Sequence, residues 1–208
     1  MGKEIELKYR ADSAEQLEAV YTAKELRASA VGEGQIFRME TTYLDTPDGA
    51  IGARKWTFRR RTENERAVIC LKTPAARKDG PTAPRGEWET EEPELSRAID
   101  ALIADGAPAE LKTLTAQGVH PVCGASFLRR AQLLRLPDGS TCELACDAGE
   151  LFGSTKKQPF FEVELELKSG EPTQLPLLGA RLEEQFRLHG EPDSKFVRAN
   201  RLRENDGQ

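Results

Sequence analysis

The run Phe161-Glu162-Val163-Glu164-Leu165-Glu166-Leu167-Lys168 alternates apolar and charged residues without a break. Period two belongs to a strand with one packed face and one polar face, because successive side chains point to opposite sides. Phe161, Val163, Leu165 and Leu167 predict the packed face. Glu162, Glu164, Glu166 and Lys168 predict the other. The start of the chain repeats the pattern: in Lys3-Glu4-Ile5-Glu6-Leu7-Lys8-Tyr9 the odd positions from Ile5 are apolar, while Glu4, Glu6 and Lys8 share the opposite face. Three more segments follow suit. Trp56 and Phe58 oppose Thr57, Arg59 and Arg61. Ile69 and Leu71 oppose Val68, Cys70 and Lys72. Trp88 opposes Arg85, Glu87, Glu89 and Glu91.

Between these strands the sequence predicts helices. Ser13-Ala14-Glu15-Gln16 reads as a capping box ahead of Leu17, Val20, Tyr21 and Leu26. Leu95, Ile99, Leu102 and Ile103 form one helical stripe after Pro93, and a second short helix covers about Pro108 to Gln117. Residues 93–118 therefore read as a helical insertion between strands, and Leu175 to Leu188 as an amphipathic helix. Gln35 to Thr46 is a strand that stops at Pro47-Asp48-Gly49. Asp138-Gly139 predicts a hairpin between 127–136 and 141–147. A two-residue turn there sets Arg130 opposite Asp147 and puts Arg130, Gln132, Leu134, Glu143, Ala145 and Asp147 on one face; a longer loop would change the pairing. Strands adjacent in sequence with helices between them predict one antiparallel α+β domain over residues 1–202, with a polar tail at 203–208.

Composition narrows the function classes. The 208 residues carry 30 Lys and Arg against 35 Asp and Glu, a net charge of −5, which lacks the basic excess of a nucleic-acid binder. No apolar run is long enough to span a bilayer, so no membrane partner is expected. Cys70, Cys123, Cys142 and Cys146 form no Cys-x-x-Cys pair, and His120 and His189 are the only imidazoles, which argues against structural zinc. The chain opens directly on a charged strand, so an export signal is not expected, and free thiols in a cytoplasmic protein are.

The repeated charged faces admit two readings. One is an open sheet whose polar face meets solvent. The other is a closed barrel with charge turned inward. Such a lumen would need a ligand to satisfy it, since buried unpaired charge is costly. Clustered carboxylates suit Mg²⁺ or Mn²⁺, and clustered Arg and Lys suit phosphate. Glu4-Ile5-Glu6-Leu7-Lys8 resembles the Glu-x-Glu-x-Lys signature of the CYTH superfamily, the triphosphate tunnel metalloenzymes. Tyr43-Leu44-Asp45-Thr46-Pro47, Arg59-Arg60-Arg61, Leu71-Lys72, Asp147, Glu162-Val163-Glu164-Leu165-Glu166 and Ser194-Lys195 follow in the family's order.

The resemblance implies a closed antiparallel eight-stranded β-barrel with a charged lumen and helices packed outside. It implies metal ligands at Glu4, Glu6, Asp147, Glu162 and Glu164, for one or two ions of Mg²⁺ or Mn²⁺. It implies triphosphate-gripping cations at Lys8, Arg59, Arg61, Lys72, Arg130 and Lys195, with Arg129 the alternative to Arg130. Tyr43 with Lys72 resembles a pair that activates water or protonates the leaving group; Tyr43 as an ordinary core tyrosine is the competing reading. The activity implied is metal-dependent hydrolysis of the terminal phosphoanhydride of a triphosphate, inorganic tripolyphosphate above all. Class IV adenylate cyclase, thiamine triphosphatase and a non-catalytic polyphosphate-binding module are the alternatives. The oligomeric state is open, a homodimer included.

Overall fold

The structure, a computed structural model, describes residues 5–74 and 86–204. Every strand segment expected from the alternation is present. β1 is Glu6–Arg10, β2 Gln35–Asp45, β3 Thr57–Glu63, β4 Arg66–Thr73, β5 Gly86–Thr90, β6 His120–Arg135, β7 Thr141–Phe152 and β8 Lys157–Ser169. A two-residue β9, His189–Gly190, adds to them. The helices are α1 Ala14–Tyr21, α2 Lys24–Ala28, α3 Ala50–Ala53, α4 Leu95–Ala104, α5 Glu110–Leu114, α6 Leu175–Phe186 and α7 Lys195–Glu204.

One antiparallel sheet joins the strands in the order β5-β4-β3-β2-β6-β7-β8-β1-β9. It is not closed, which corrects the eight-stranded barrel expected from sequence. Closure would require β1 to pair with β5. Instead β1 pairs with β8 on one side, while Tyr9 and Arg10 meet Gly190 and His189 of β9 on the other. Among the described residues β5 and β9 are the sheet's edges. Alternation of apolar and charged residues reports which face a side chain takes, and that parity is the same in an open sheet and in a barrel.

The chain divides into two compact units. The first is Met1–Arg38, Phe127–Glu150 and Gln158–Ser194. In it α1, α2 and α6 cover the apolar face of β1, β7 and β8, burying Tyr9, Leu17, Val20, Leu144, Val163, Leu165 and Leu182 in one cluster. Ser13 caps α1 as expected, its hydroxyl accepting from Gln16 N, while the Gln16 side chain returns to accept from Asp12 N at 2.6 Å.

The second unit is Met39–Ser126, Leu151–Lys157 and Lys195–Gln208. Here α3, α4 and α5 cover β3, β4 and β5 over Phe58, Ile69, Leu71, Leu102 and Leu111. Trp56 and Trp88 belong to this cluster, so both indoles are packing groups. The Glu94 side chain caps α4, accepting from Ser96 N and Arg97 N. Asp45 accepts from the amides of Thr46, Ile51 and Gly52, which makes it the fastener of the β2–α3 turn. β6 starts at His120, earlier than the expected 127, because Gly124 permits a close approach: a Cβ there would lie 2.4 Å from Thr41 O. The segment from Lys195, which leads into the polar tail expected at 203–208, is helical to Glu204 and buries Ala199 completely.

Candidate functional site

Each unit carries a cluster of ionised side chains on the polar face of its own strands. In the first unit, Asp147 of β7 and Glu162 and Glu164 of β8 place one carboxylate oxygen each within 4.8 Å of one another. Asp147 and Glu162 are fully buried. Arg129 of β6 grips Asp147 with two parallel hydrogen bonds, Nε to Oδ1 and Nη2 to Oδ2, both 2.8 Å. Its Nη2 also donates to Glu164. Burial works against the Arg129 charge, but Asp147, Glu164 and Glu143 together outweigh it and hold the guanidinium pKa above its usual value.

β1 supplies the next row. Lys8 stands directly across from Glu164, and Arg10 across from Glu162. Glu6 faces Glu166, a like-charge pair that a sheet tolerates when a cation stands nearby. Lys168 reaches Glu166 at 2.6 Å and Glu143 at 3.7 Å. Glu4, expected as a metal ligand, lies outside the described residues.

The hairpin explains why Arg129 and not Arg130 joins this cluster. Leu136 N donates to Ser140 O, and Gly139 N to Leu136 O, so the loop holds three residues rather than two. Gly139 takes φ 87°, the left-handed position that a three-residue hairpin requires of its last loop residue. Counting back in step from Leu136 and Ser140 brings Arg129 opposite Asp147. A one-residue slip turns every β6 side chain over relative to β7. Leu134 accordingly lies with Leu144 and Cys146 in the packed cluster. Arg130 shares that side: it pairs with Glu18 at 2.6 Å and stacks over the Tyr21 ring at 4.1 Å.

The second unit gathers cations. The register aligns Tyr43, Arg59, Cys70 and Glu89 across β2, β3, β4 and β5, with Lys72 and Glu87 paired one step further along the same face. Lys72 Nζ contacts Glu87 at 2.8 Å. Arg59 stands 4.0 Å from Glu87 and 3.7 Å from Glu89, and Arg61 3.9 Å from Glu89 and 2.6 Å from Glu63. Arg59 Nε is buried without a hydrogen-bond partner. Desolvation opposes the Arg59 charge, yet the surrounding Cys70, Tyr43, Glu87 and Glu89 raise its pKa overall. Burial pushes the Cys70 thiol up to about 12, keeping it neutral beside these cations.

Tyr43 is buried, with its ring 5.0 Å from that of Phe196 on α7. Lys195, the neighbour of Phe196, opens that helix and is half-buried. Lys72 and Tyr43 share a face but are not close in the sheet. Two strands and two residues separate them, roughly 12 Å between backbone positions. Sequence reasoning left Glu87 without a role; here it holds Lys72. It also missed Glu63, the last residue of β3, and Arg10, whose place opposite Glu162 follows from counting along β1.

The carboxylate cluster fits a hard divalent cation on the chemistry of its donors: three oxygen ligands at close quarters and no sulfur or imidazole among them. Asp147, Glu162 and Glu164 would hold the ion. A second acidic group, Cys70 with Glu87 and Glu89, offers a neutral thiol in place of a third carboxylate and is engaged by two cations, Arg59 and Lys72, so it suits a hard cation less well. Among the described residues no helix is long and apolar enough to cross a membrane.

Comparison with known proteins places the chain in a family. The inorganic triphosphatase of Haemophilus influenzae is 29% identical over 138 residues, 66% of this chain and 38% of its own length. This chain thus aligns with well under half of that relative. Among solved structures, a proposed adenylyl cyclase from Hippeastrum with a dominant triphosphatase activity superposes with a TM-score of 0.60. It is 18% identical, with 97% of this chain and 96% of that chain covered. A proposed adenylate cyclase from Vibrio parahaemolyticus gives 0.52 at 15% identity, covering 93% and 96%. At such identities the likeness is one of fold. The CYTH domain model matches residues 2–199, nearly the whole chain, and on that match the chain belongs to the CYTH domain family.

Proposed function

We propose that this protein hydrolyses the terminal phosphoanhydride of a triphosphate, inorganic tripolyphosphate first among them, with Mg²⁺ or Mn²⁺. The observation that carries this reading is the all-oxygen donor set of Asp147, Glu162 and Glu164 on neighbouring strands. The named activity of the Haemophilus influenzae relative supports it. A divalent ion bound there supplies charge neutralisation at phosphate oxygens and activation of water.

The chain's own residues do the rest. Glu162 and Glu164 hold their oxygens on one face because they are two residues apart on β8. Arg129 fixes Asp147 through both carboxylate oxygens, which sets the orientation of that ligand. Glu6 extends the acidic set along β1, and Lys8 adds a cation opposite Glu164; Glu4 is assigned to the metal with them. Arg59, Arg61 and Lys72 take phosphate oxygens. Their partners Glu87 and Glu89 sit at 3.7–4.0 Å from Arg59, beyond hydrogen-bond length, so an anion making shorter contacts can claim the guanidinium. Arg59 Nε has its donor already desolvated and ready for such a ligand. Lys195 contributes a further cation at the start of α7. Tyr43, aligned with Arg59, and Lys72 are assigned the proton transfers to water and leaving group.

One panel tests the reading. Purified protein is incubated with tripolyphosphate, thiamine triphosphate or ATP, with Mg²⁺ or Mn²⁺, and phosphate, pyrophosphate and cyclic AMP are measured. Phosphate released mainly from tripolyphosphate, and lost with chelator, is the expected result. Cyclic AMP with pyrophosphate from ATP would identify a cyclase instead. Binding without turnover would identify a polyphosphate-binding module. Full activity after complete metal removal, or in Glu4→Gln, would refute the metal assignment.

A further inference from the structure

The first unit contains a cavity of about 480 Å³ on its helix-covered side, away from the carboxylate cluster. Its floor is apolar: Leu26 of α2, Leu134 and Leu136 of β6 and its loop, and Leu178 and Leu182 of α6. Its wall is the segment after α2, tied to β6 by Arg135 N donating to Ser29 O and Val31 N to Leu133 O, both 2.8 Å, and by the Ala30–Leu134 bridge. The cavity is therefore framed by backbone hydrogen bonds rather than by side chains alone. Its volume lies in the range of small-molecule sites.

The rim is charged. Arg135 and Arg181 line it, and both are exposed. Neither has a carboxylate within salt-bridge distance among the described residues. The rim's one acid, Glu25, is held below its usual pKa by its own backbone amide first, then by Gln185 Nε2 donating to it at 2.6 Å, with the charge of Arg181 a smaller contribution from beyond ion-pair distance. An apolar floor under two guanidinium groups complements a molecule with an apolar body and an anionic head. Nothing in the proposed triphosphate chemistry uses these residues.

We propose that this cavity is a second ligand site, which takes a small amphipathic carboxylate: the apolar body on the five leucines, the carboxylate on Arg135 and Arg181. The inference does not depend on the hydrolase reading.

Calorimetric titration of the whole chain with octanoate, octylammonium and octanol tests it. Octanoate should bind saturably, one to one, at least tenfold tighter than octylammonium or octanol. The double variant Arg135→Glu/Arg181→Glu should weaken octanoate at least tenfold. Ala28→Trp, which places a large ring at an exposed lining position, should abolish binding. Circular dichroism checks that each variant folds; if the double variant does not, Arg181→Gln is read in its place and should weaken octanoate at least threefold. Four outcomes overturn the proposal: no saturable binding up to about 10 mM octanoate, equal binding of octylammonium, octanoate binding untouched by the folded charge variants, or a concentration-dependent dimer that Ala28→Trp dissolves, which would make a second copy of the chain the occupant.

Discussion

The two charged clusters hold their ions differently. In the first unit, Arg129 meets Asp147 with paired 2.8 Å hydrogen bonds, and both Asp147 and Glu162 are fully withdrawn from water. In the second unit, Arg59 meets its carboxylates at 3.7 and 4.0 Å and keeps a buried donor atom without a partner. The first arrangement is committed: the protein supplies the geometry, and loss of one member strands a buried charge. In the second, Lys72 and Arg61 have close partners, but Arg59 is held in reserve by contacts that a better ligand can replace. Rigid acids and releasable cations suit different tasks. A metal ligand needs fixed oxygen positions, whereas a phosphate clamp gains when its resting contacts are weak.

Stability separates the two most sharply. Arg129→Ala leaves Asp147 buried without its bidentate partner, and such broken pairs cost about 3–5 kcal/mol. Chemical denaturation should show that loss. Arg59→Ala should cost far less, because its ion pairs are long. Equal losses for both variants would erase the contrast between the units.

Activity gives the next test. Glu162→Gln keeps volume but removes a charge from the three-oxygen set, and turnover of tripolyphosphate should fall about 10²–10³-fold, the scale of deleting one preorganised electrostatic group. Affinity for Mn²⁺, read by calorimetry, should fall with it. Unchanged Mn²⁺ affinity would mean the carboxylates are structural. Arg59→Lys should act on KM more than on kcat. A point charge replaces a fork, and the loss of a charge-assisted hydrogen bond is about 1.5–3 kcal/mol.

Buried thiols occur in both units: Cys142 and Cys146 lie in the packed cluster of the first, and Cys70 lies beside Arg59 in the second. Burial pushes Cys70, Cys123 and Cys146 up to about 12 and Cys142 to about 11. The folded-state values exceed those of the unfolded chain, so this contribution is complete below pH 9 and is lost as pH rises towards 12. Each thiol should subtract about 1.4 kcal/mol per pH unit in that window. Thermal melts from pH 8 to 10.5 should fall accordingly, and in the native state the thiols should resist alkylation at pH 8. Rapid labelling of Cys70 or Cys146 there would show that its surroundings open.

Much of this was legible in the sequence because parity along a strand is a local property. Glu162 and Glu164 lie two residues apart and cannot leave each other's face, and the same holds for Arg59 and Arg61. What sequence could not supply was relations between strands. Closure of the sheet depends on which strand claims the free edge of β1, and a two-residue strand claims it. That strand, His189–Gly190, is too short to have a period. Early entry into β6 at His120 was hidden by Pro121 and Gly124, residues that usually interrupt strands; here Gly124 is what lets the backbones approach. The choice between Arg129 and Arg130 turned on one residue of loop length, which Asp138-Gly139 leaves ambiguous between hairpin types.

That choice also yields the smallest expected effect. Arg130 sits on the helix side, paired with Glu18, which is 56% exposed, and stacked over Tyr21. An exposed ion pair contributes about 0.2–1 kcal/mol, and a cation–π contact at such a site about 0.5–1. Arg130→Ala should therefore lower stability by about 1 kcal/mol and leave tripolyphosphate turnover and Mn²⁺ affinity unchanged, while Arg129→Ala disturbs both. The pair of variants reads the hairpin register directly. If Arg130→Ala proved to be the one that disables turnover, the three-residue loop, and with it the placement of Arg129 in the acid cluster, would be wrong.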